Sequence, residues 1–389
     1  MAGKSCCVDE NNLRISASSM NQYSSGSEPS IERGVVYVLF AYDTALSINL
    51  DDAERRVHET IQRETIRHKR RAPSYFEFQS PPLRITQAIE PFNIGAHHSR
   101  EQVDLVAYDF GAVSVIYSIP IQGSFSGLLG LSEELYDNEL LLADSRRRVD
   151  HLLKSLGDAA IKGSIAEVVE DYVIFHIEEL GGPLDARNFC AQHGYEIAQI
   201  LRAERLPLSE QEIEEALGSR ISFGKDDIAI VDWNASLLFD PEGDDTRTVL
   251  EFANVELLEM RYLDQKMDRA LDQAYETLSQ RAWNLRRMLG SYGADLRRVA
   301  ELQIDNALLF EGVNNALKLL GDQYLARVYR LVNKRFHLED WDSSILRKLQ
   351  TLESIYEKIS DQAVNRRTEF LEWVIIILIA AEIAIGFVR

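Results

Sequence analysis

The stretch Phe370–Val388, FLEWVIIILIAAEIAIGFV, constrains this chain more than any other part of it. From Val374 to Ala381 no side chain is polar. A helix of roughly nineteen residues, rising ~1.5 Å per residue, approaches the hydrocarbon thickness of a bilayer. Trp373 stands at the near edge, where an amphipathic ring suits the headgroup layer, and Arg366 and Arg367 precede it as cytoplasmic flanking cations should. Glu372 lies at the same edge, and Glu382 sits only about 10 Å from the far end of the helix. A charge at the bilayer centre costs several kcal/mol, so Glu382 is expected to be protonated, near the far interface or paired within an oligomer. The expectation is a tail anchor over residues 369–389, carried by Phe370, Trp373, Ile375, Ile376, Ile377, Leu378, Ile379 and Glu382. The competing reading is a core helix, which is also apolar all round.

At 389 residues the chain has room for two or three domains, and a 46% hydrophobic fraction supports real cores. Its formal net charge of −20 argues against broad nucleic-acid binding, which needs a basic surface, and against a body lying flat on anionic lipid. Cys6, Cys7 and Cys190 form no disulfide framework and fit a reducing compartment. Ala2 excludes the usual myristoylation motif, and the first thirty residues hold no apolar signal segment. The soluble body is therefore expected on the cytoplasmic, or equivalent interior, side of a membrane that the chain crosses once.

Residues 1–31, rich in Ser, Asn and Gly, read as a disordered leader. An α+β body follows over 32–240. Val35–Tyr42 reads as a strand, Asp51 as a helix cap, Leu83–Thr86 as a short strand and His97–His98 as loop. Val103–Ile119 is the best hairpin, two apolar runs around Asp109–Phe110–Gly111. Similar strand–turn–strand text recurs at Val38–Ser47 and Ile228–Phe239, with Asp43 and Asp232 in the place of Asp109. Leu131–Leu156 reads as one helix, Tyr172–Ile177 as a strand, and Leu184–Leu201 and Ser209–Leu217 as helices, the last with a Ser209/Glu212 capping box. Pro241–Asp245 marks a linker. The chain then turns helical, with a helical hairpin or coiled coil over 246–368. There Ile345, Leu349, Leu352, Tyr356 and Ile359 fall at alternating spacings of four and three, a heptad seam that either dimerisation or intramolecular packing would explain.

No motif names a chemistry. Cys-x-x-Cys, nucleophile-elbow and phosphate-loop patterns are absent, His97 and His98 are adjacent, and Asp150–His151 point to different helix faces. Cys190 and His193 lie a turn apart, which a buried thiol beside an ordinary histidine explains. Two clusters remain. Arg67, Lys69, Arg70 and Arg71, followed by Tyr75, Phe76 and Phe78, suit contact with phosphate or anionic lipid, although cations also favour a helix C-terminus. The polar row from Glu301 to Asp322 suits a carboxylate-lined groove, but charged rows at helical spacing commonly face water.

Tyr108–Asp109–Phe110–Gly111–Ala112–Val113 resembles the Phe-Asp-Tyr-Gly-Val-Val stretch of the "required for meiotic nuclear division" family, a domain of unknown function. Arg367–Ile379, with Leu371–Glu372–Trp373, is similar to that family's C-terminal Leu-Glu-Trp-Ile-Ile-Ile segment. The resemblance implies an α+β body, a helical C-terminal part and one membrane span. It also implies kinship with eukaryotic proteins associated with mitochondrial translation, one resembling a ribosome tether, and with others linked to meiosis or microtubules. It supplies no catalytic residues.

The expected fold is thus α+β, a mixed N-terminal body with β-hairpins and helices, then an all-helical part ending in one transmembrane helix. The expected function is a tail-anchored, non-enzymatic scaffold or adaptor without cofactor, its stalk serving self-association or a protein partner. A ribosome or RNA tether using Arg67–Arg71, and an uncharacterised enzyme, are the alternatives.

Overall fold

The computed structural model describes residues 29–57, 60–63, 81–182, 186–281 and 323–388, with side chains except at 60–63, 186–187, 277–281, 323, 359–371 and 381–388. In chain order the strands are β1 (Ser30–Asp43), β2 (Ser47–Ile48), β3 (Thr60–Arg63), β4 (Leu83–Ala88), β5 (Asn93–Ile94), β6 (His97–His98) and β7 (Gln102–Ala107). They continue with β8 (Ala112–Ser124), β9 (Ala160–Ile161), β10 (Val169–Leu180), β11 (Arg220–Ile221), β12 (Ile228–Val231) and β13 (Ala235–Phe239). The helices are α1 (Leu50–Arg56), α2 (Gly127–Leu135), α3 (Glu139–Leu156), α4 (Ala186–Arg202), α5 (Glu210–Gly218), α6 (Asp244–Arg281), α7 (Gln323–Arg335) and α8 (Leu338–Val388).

Among the described residues, nine strands form one sheet in the order β11-β12-β13-β10-β1-β8-β7-β4-β3. Neighbours are antiparallel except β10 and β13, which run parallel. The period of two is explicit in β1. Val36, Val38, Phe40 and Tyr42 point to one face and Leu39 and Ala41 to the other, and all are buried. A strand apolar on both faces needs cover on both, and it has it. Leu50 of α1, Leu131 of α2, Leu152 of α3 and Ile197 of α4 cover the first face. Leu250, Ala253 and Leu257 of α6 cover the second, with Leu325, Val328 and Val332 of α7. The fold is therefore a mixed α+β body with an N-terminal sheet and C-terminal helices, in which the start of the helical part is the second cover of the sheet.

Local expectations meet the structure unevenly. The β7–β8 hairpin forms as read, turning at Gly111 with φ +106°, where an added Cβ would lie 1.9 Å from the carbonyl oxygen of Ala45. Val38–Ser47 is no hairpin: β1 runs on to β2, which pairs with β9, and Thr44 donates its hydroxyl to the Gly111 carbonyl at 2.7 Å. Leu131–Leu156 is two helices. Asp137 adopts φ 51°, and Asn138 caps α3 by accepting from the Leu141 amide at 3.0 Å, a job suited to short polar side chains. Asn49, not Asp51, caps α1, accepting from the Asp52 amide at 3.0 Å. His97 and His98 form β6, paired with β5, instead of loop. The Ser209 cap is present, accepting from the Glu212 amide at 3.2 Å.

Candidate functional site

Beyond Leu258, α6 leaves the sheet and continues against α8. Met260, Leu263, Met267, Ala270 and Ala274 of α6 meet Ile345, Leu349, Leu352 and Tyr356 of α8 in a separate apolar cluster. The heptad seam read from the sequence is thus filled by α6 of the same chain, and the side chain of Ile359 lies outside those described. Contacts advance together along the two helices. Asp342 adds its charge beside Glu256, and Lys348 reaches Asp264 at 2.8 Å and Asp268 at 2.6 Å. The pair therefore runs parallel, and among the described residues these two helices form a stalk that leaves the body.

Polar contacts tie the stalk's root to the sheet. Arg261 of α6 pairs with Glu170 of β10, whose burial nonetheless pushes its pKa up to about 7. Glu256 of α6 accepts from the Tyr329 hydroxyl of α7 at 2.6 Å, and burial raises it to about 7 as well. On the sheet beneath α6, Arg84 bridges Asp104 at 3.0 Å and the buried Glu251 at 2.9 Å, and Arg247 joins Glu251 on the other side. At the β12–β13 turn, Asp232 receives Arg335 from the end of α7 and Arg202 from α4. Buried charges need such partners, because leaving one unpaired costs several kcal/mol. Sequence reasoning missed these groups, since Arg84 and Glu251 lie 167 positions apart and no local signal links them.

Farther along α8 most of the described side chains are exposed. Between Tyr356 and Val374 the helix rises ~27 Å. Trp373, Ile375, Ile376, Ile377, Leu378 and Ile379 are then each between 51% and 64% exposed. Five consecutive residues at 100° apiece sweep the whole circumference, so the apolar surface is a band around the helix and no single face is preferred. Among the described residues, no helix is long and apolar enough to cross a membrane. The described side chains of this segment stop at Ala380, and those of Phe370 and Glu382 lie outside them.

The other candidates divide. Arg67, Lys69, Arg70 and Arg71 lie outside the described residues, as does the polar row from Glu301 to Asp322. Cys190 is buried and its thiol is pushed up to about 11 by that burial, so little reactive thiolate exists near neutral pH. His193 pairs with Glu196 at 3.0 Å and packs among Phe125 and Phe189. Among the described residues no group of acids, histidines and cysteines could hold a metal.

A family model described as the N-terminal domain of uncharacterized protein MJ0711 matches residues 33–246, which run from β1 into the first turn of α6. The chain belongs to this family. Its match therefore takes in the whole sheet and α1 to α5. Uncharacterized protein MJ0711 of Methanocaldococcus jannaschii is 23% identical over 264 residues, covering 67% of this chain and 74% of the relative. No solved structure gives a significant match.

Proposed function

We propose that this protein is a non-enzymatic membrane scaffold: an α+β body carried on a stalk that includes the parallel helices α6 and α8 and held to a bilayer by the last part of α8. The observation that carries the reading is the band of exposed apolar side chains at Trp373–Ile379. A core helix would be covered, and among the described residues these side chains stand in the open. Water is a poor solvent for such a band, and hydrocarbon is a good one. In the sequence the apolar run continues to Val388 with Glu382 as its one later charge, long enough for a span.

Arg366 and Arg367 ahead of Trp373 favour the body on the cytoplasmic side. Kinship with the "required for meiotic nuclear division" family, resting on Tyr108–Val113 and Leu371–Ile379, belongs to the same proposal and agrees with a single C-terminal span.

The test compares the full chain with a version ending at residue 368. The full chain should stay with membranes through alkaline carbonate and leave only with detergent. The truncation should be soluble with an unchanged unfolding midpoint. Membrane retention of the truncation, or release of the full chain by carbonate, would refute the anchor.

A further inference from the structure

A groove of about 830 Å³ opens where the outer face of α3 meets the 163–165 loop. Leu153 and Ile165 form its apolar floor, and Arg146, Arg147, Asp150 and Lys154 form its rim. Gly163 lets the loop approach this closely, since a Cβ there would already stand 3.0 Å from Leu153. Backbone bonds hold the loop in place: the Ser164 amide donates to the Thr44 carbonyl at 2.8 Å and the Ala166 amide to the Asp43 carbonyl at 2.9 Å.

The charge balance of the rim is positive. Arg146 has no ion-pair partner among the described residues. Arg147 pairs with the buried Asp144 but leaves its side chain 76% exposed. Burial alone would raise the Asp144 carboxyl, but hydrogen bonds from Arg148, Tyr117 and Arg147 outweigh it and hold the group below the ordinary carboxylate range. Asp144 is thus spent inside the protein, with Arg148 as a second partner at 2.6 Å, and cancels no rim charge outright. Lys154 and Asp150 pair at 2.5 Å with both side chains more than half exposed, and surface pairs of this kind are worth little, so Lys154 is free to be recruited. A cationic rim stands out on a chain of net charge −20.

We propose that this groove binds a phosphate-bearing small molecule of about nucleotide size. Guanidinium groups match phosphate oxygens two at a time, an ammonium adds a point charge, and the apolar floor receives a ring or alkyl portion. The volume falls in the range of small-molecule sites, ~300–1,000 Å³. A long polyanion such as RNA is disfavoured by the chain's net charge of −20. A lipid headgroup is disfavoured because α3 covers the sheet face opposite to α6 and α8.

The experiment titrates full-length protein in neutral detergent micelles with the fluorescent nucleotide mant-ADP, competing with ADP, inorganic phosphate, adenosine, poly(U) and the soluble headgroup inositol phosphate. The expected result is saturable binding displaced by ADP but not by adenosine, weakened at least tenfold in Arg146→Gln/Lys154→Gln. Both side chains are exposed, so the variant should keep its unfolding midpoint. A second readout needs no variant: ADP should slow phenylglyoxal modification of Arg146, followed by peptide mass. No binding at millimolar mant-ADP, equal displacement by adenosine, or unprotected Arg146 would overturn the proposal. Stronger displacement by poly(U) would overturn it in favour of RNA, whereas displacement by inositol phosphate would support the phosphate-bearing small molecule.

Discussion

Replacing Glu256 by Gln should make the protein more stable at pH 8 and leave it nearly unchanged at pH 4.5. Glu256 is 3% exposed between α6 and α7, and it accepts a hydrogen bond from Tyr329 at 2.6 Å. Burial raises its pKa from the ordinary 4.5 to about 7, the Tyr329 hydroxyl opposing this and Asp342 adding to it. Below the unfolded value both states hold the proton, and folding incurs no penalty from this group. As pH rises between the two values, the unfolded chain releases its proton while the folded protein keeps it, so stability falls. Above the folded value the loss is complete. At ~1.4 kcal/mol per unit the full loss is about 3 kcal/mol. Glutamine does not titrate, and its carbonyl can accept the Tyr329 hydroxyl as the protonated acid does. The assay is urea unfolding of both proteins in detergent micelles, followed by far-ultraviolet circular dichroism at the two pH values. Comparing variant with wild type at each pH cancels the titration of every other group to first order. A difference of the same size at both pH values, or a less stable variant at pH 8, would refute the reasoning. It would mean that the Glu256 carboxylate is compensated in the folded state.

Three further outcomes test other levels of the structure. Leu352→Ala empties a fully buried position between α6 and α8 and should cost ~2–4 kcal/mol, with amide exchange accelerating along the stalk before the sheet. Exchange that rises first in β1 or β8 would contradict the assignment of that seam to the stalk. Gly111→Ala forces a Cβ against the Ala45 carbonyl and strains φ, so a loss of ~3 kcal/mol or more is expected, read as a lower unfolding midpoint; an unchanged midpoint would refute the close approach. Ser209→Ala removes the cap of α5 and should cost ~1 kcal/mol, while Ser209→Asp should retain most of it; no loss in Ser209→Ala would show that the cap contributes nothing.

Much of the architecture is local physics and was readable. The strand at Val35–Tyr42, the hairpin around Gly111 and the cap at Ser209 depend on residues next to one another. Errors came where short polar residues chose between continuing and ending an element, as at Asp137–Asn138, or where a turn-like text met a distant partner, as at Asp43–Ala45. Of the candidate site, the apolar composition of Trp373–Ile379 was plain, but its exposure was not.

The sequence by itself determined that Val35–Tyr42 is an apolar strand, that α8 has an apolar seam, and that an apolar band follows it. Hydrophobic periodicity says that a surface must leave water, and it does not say what covers it. Only the tertiary structure decided that α6 covers both the second face of the sheet and the seam of α8, that no described element covers Trp373–Ile379, and that Arg84 meets Glu251. It also decided that α3 and the 163–165 loop frame an open groove. Those outcomes rest on which distant segments come together, and the free energy of burying a side chain is nearly indifferent to whether its partner is four residues away or a hundred.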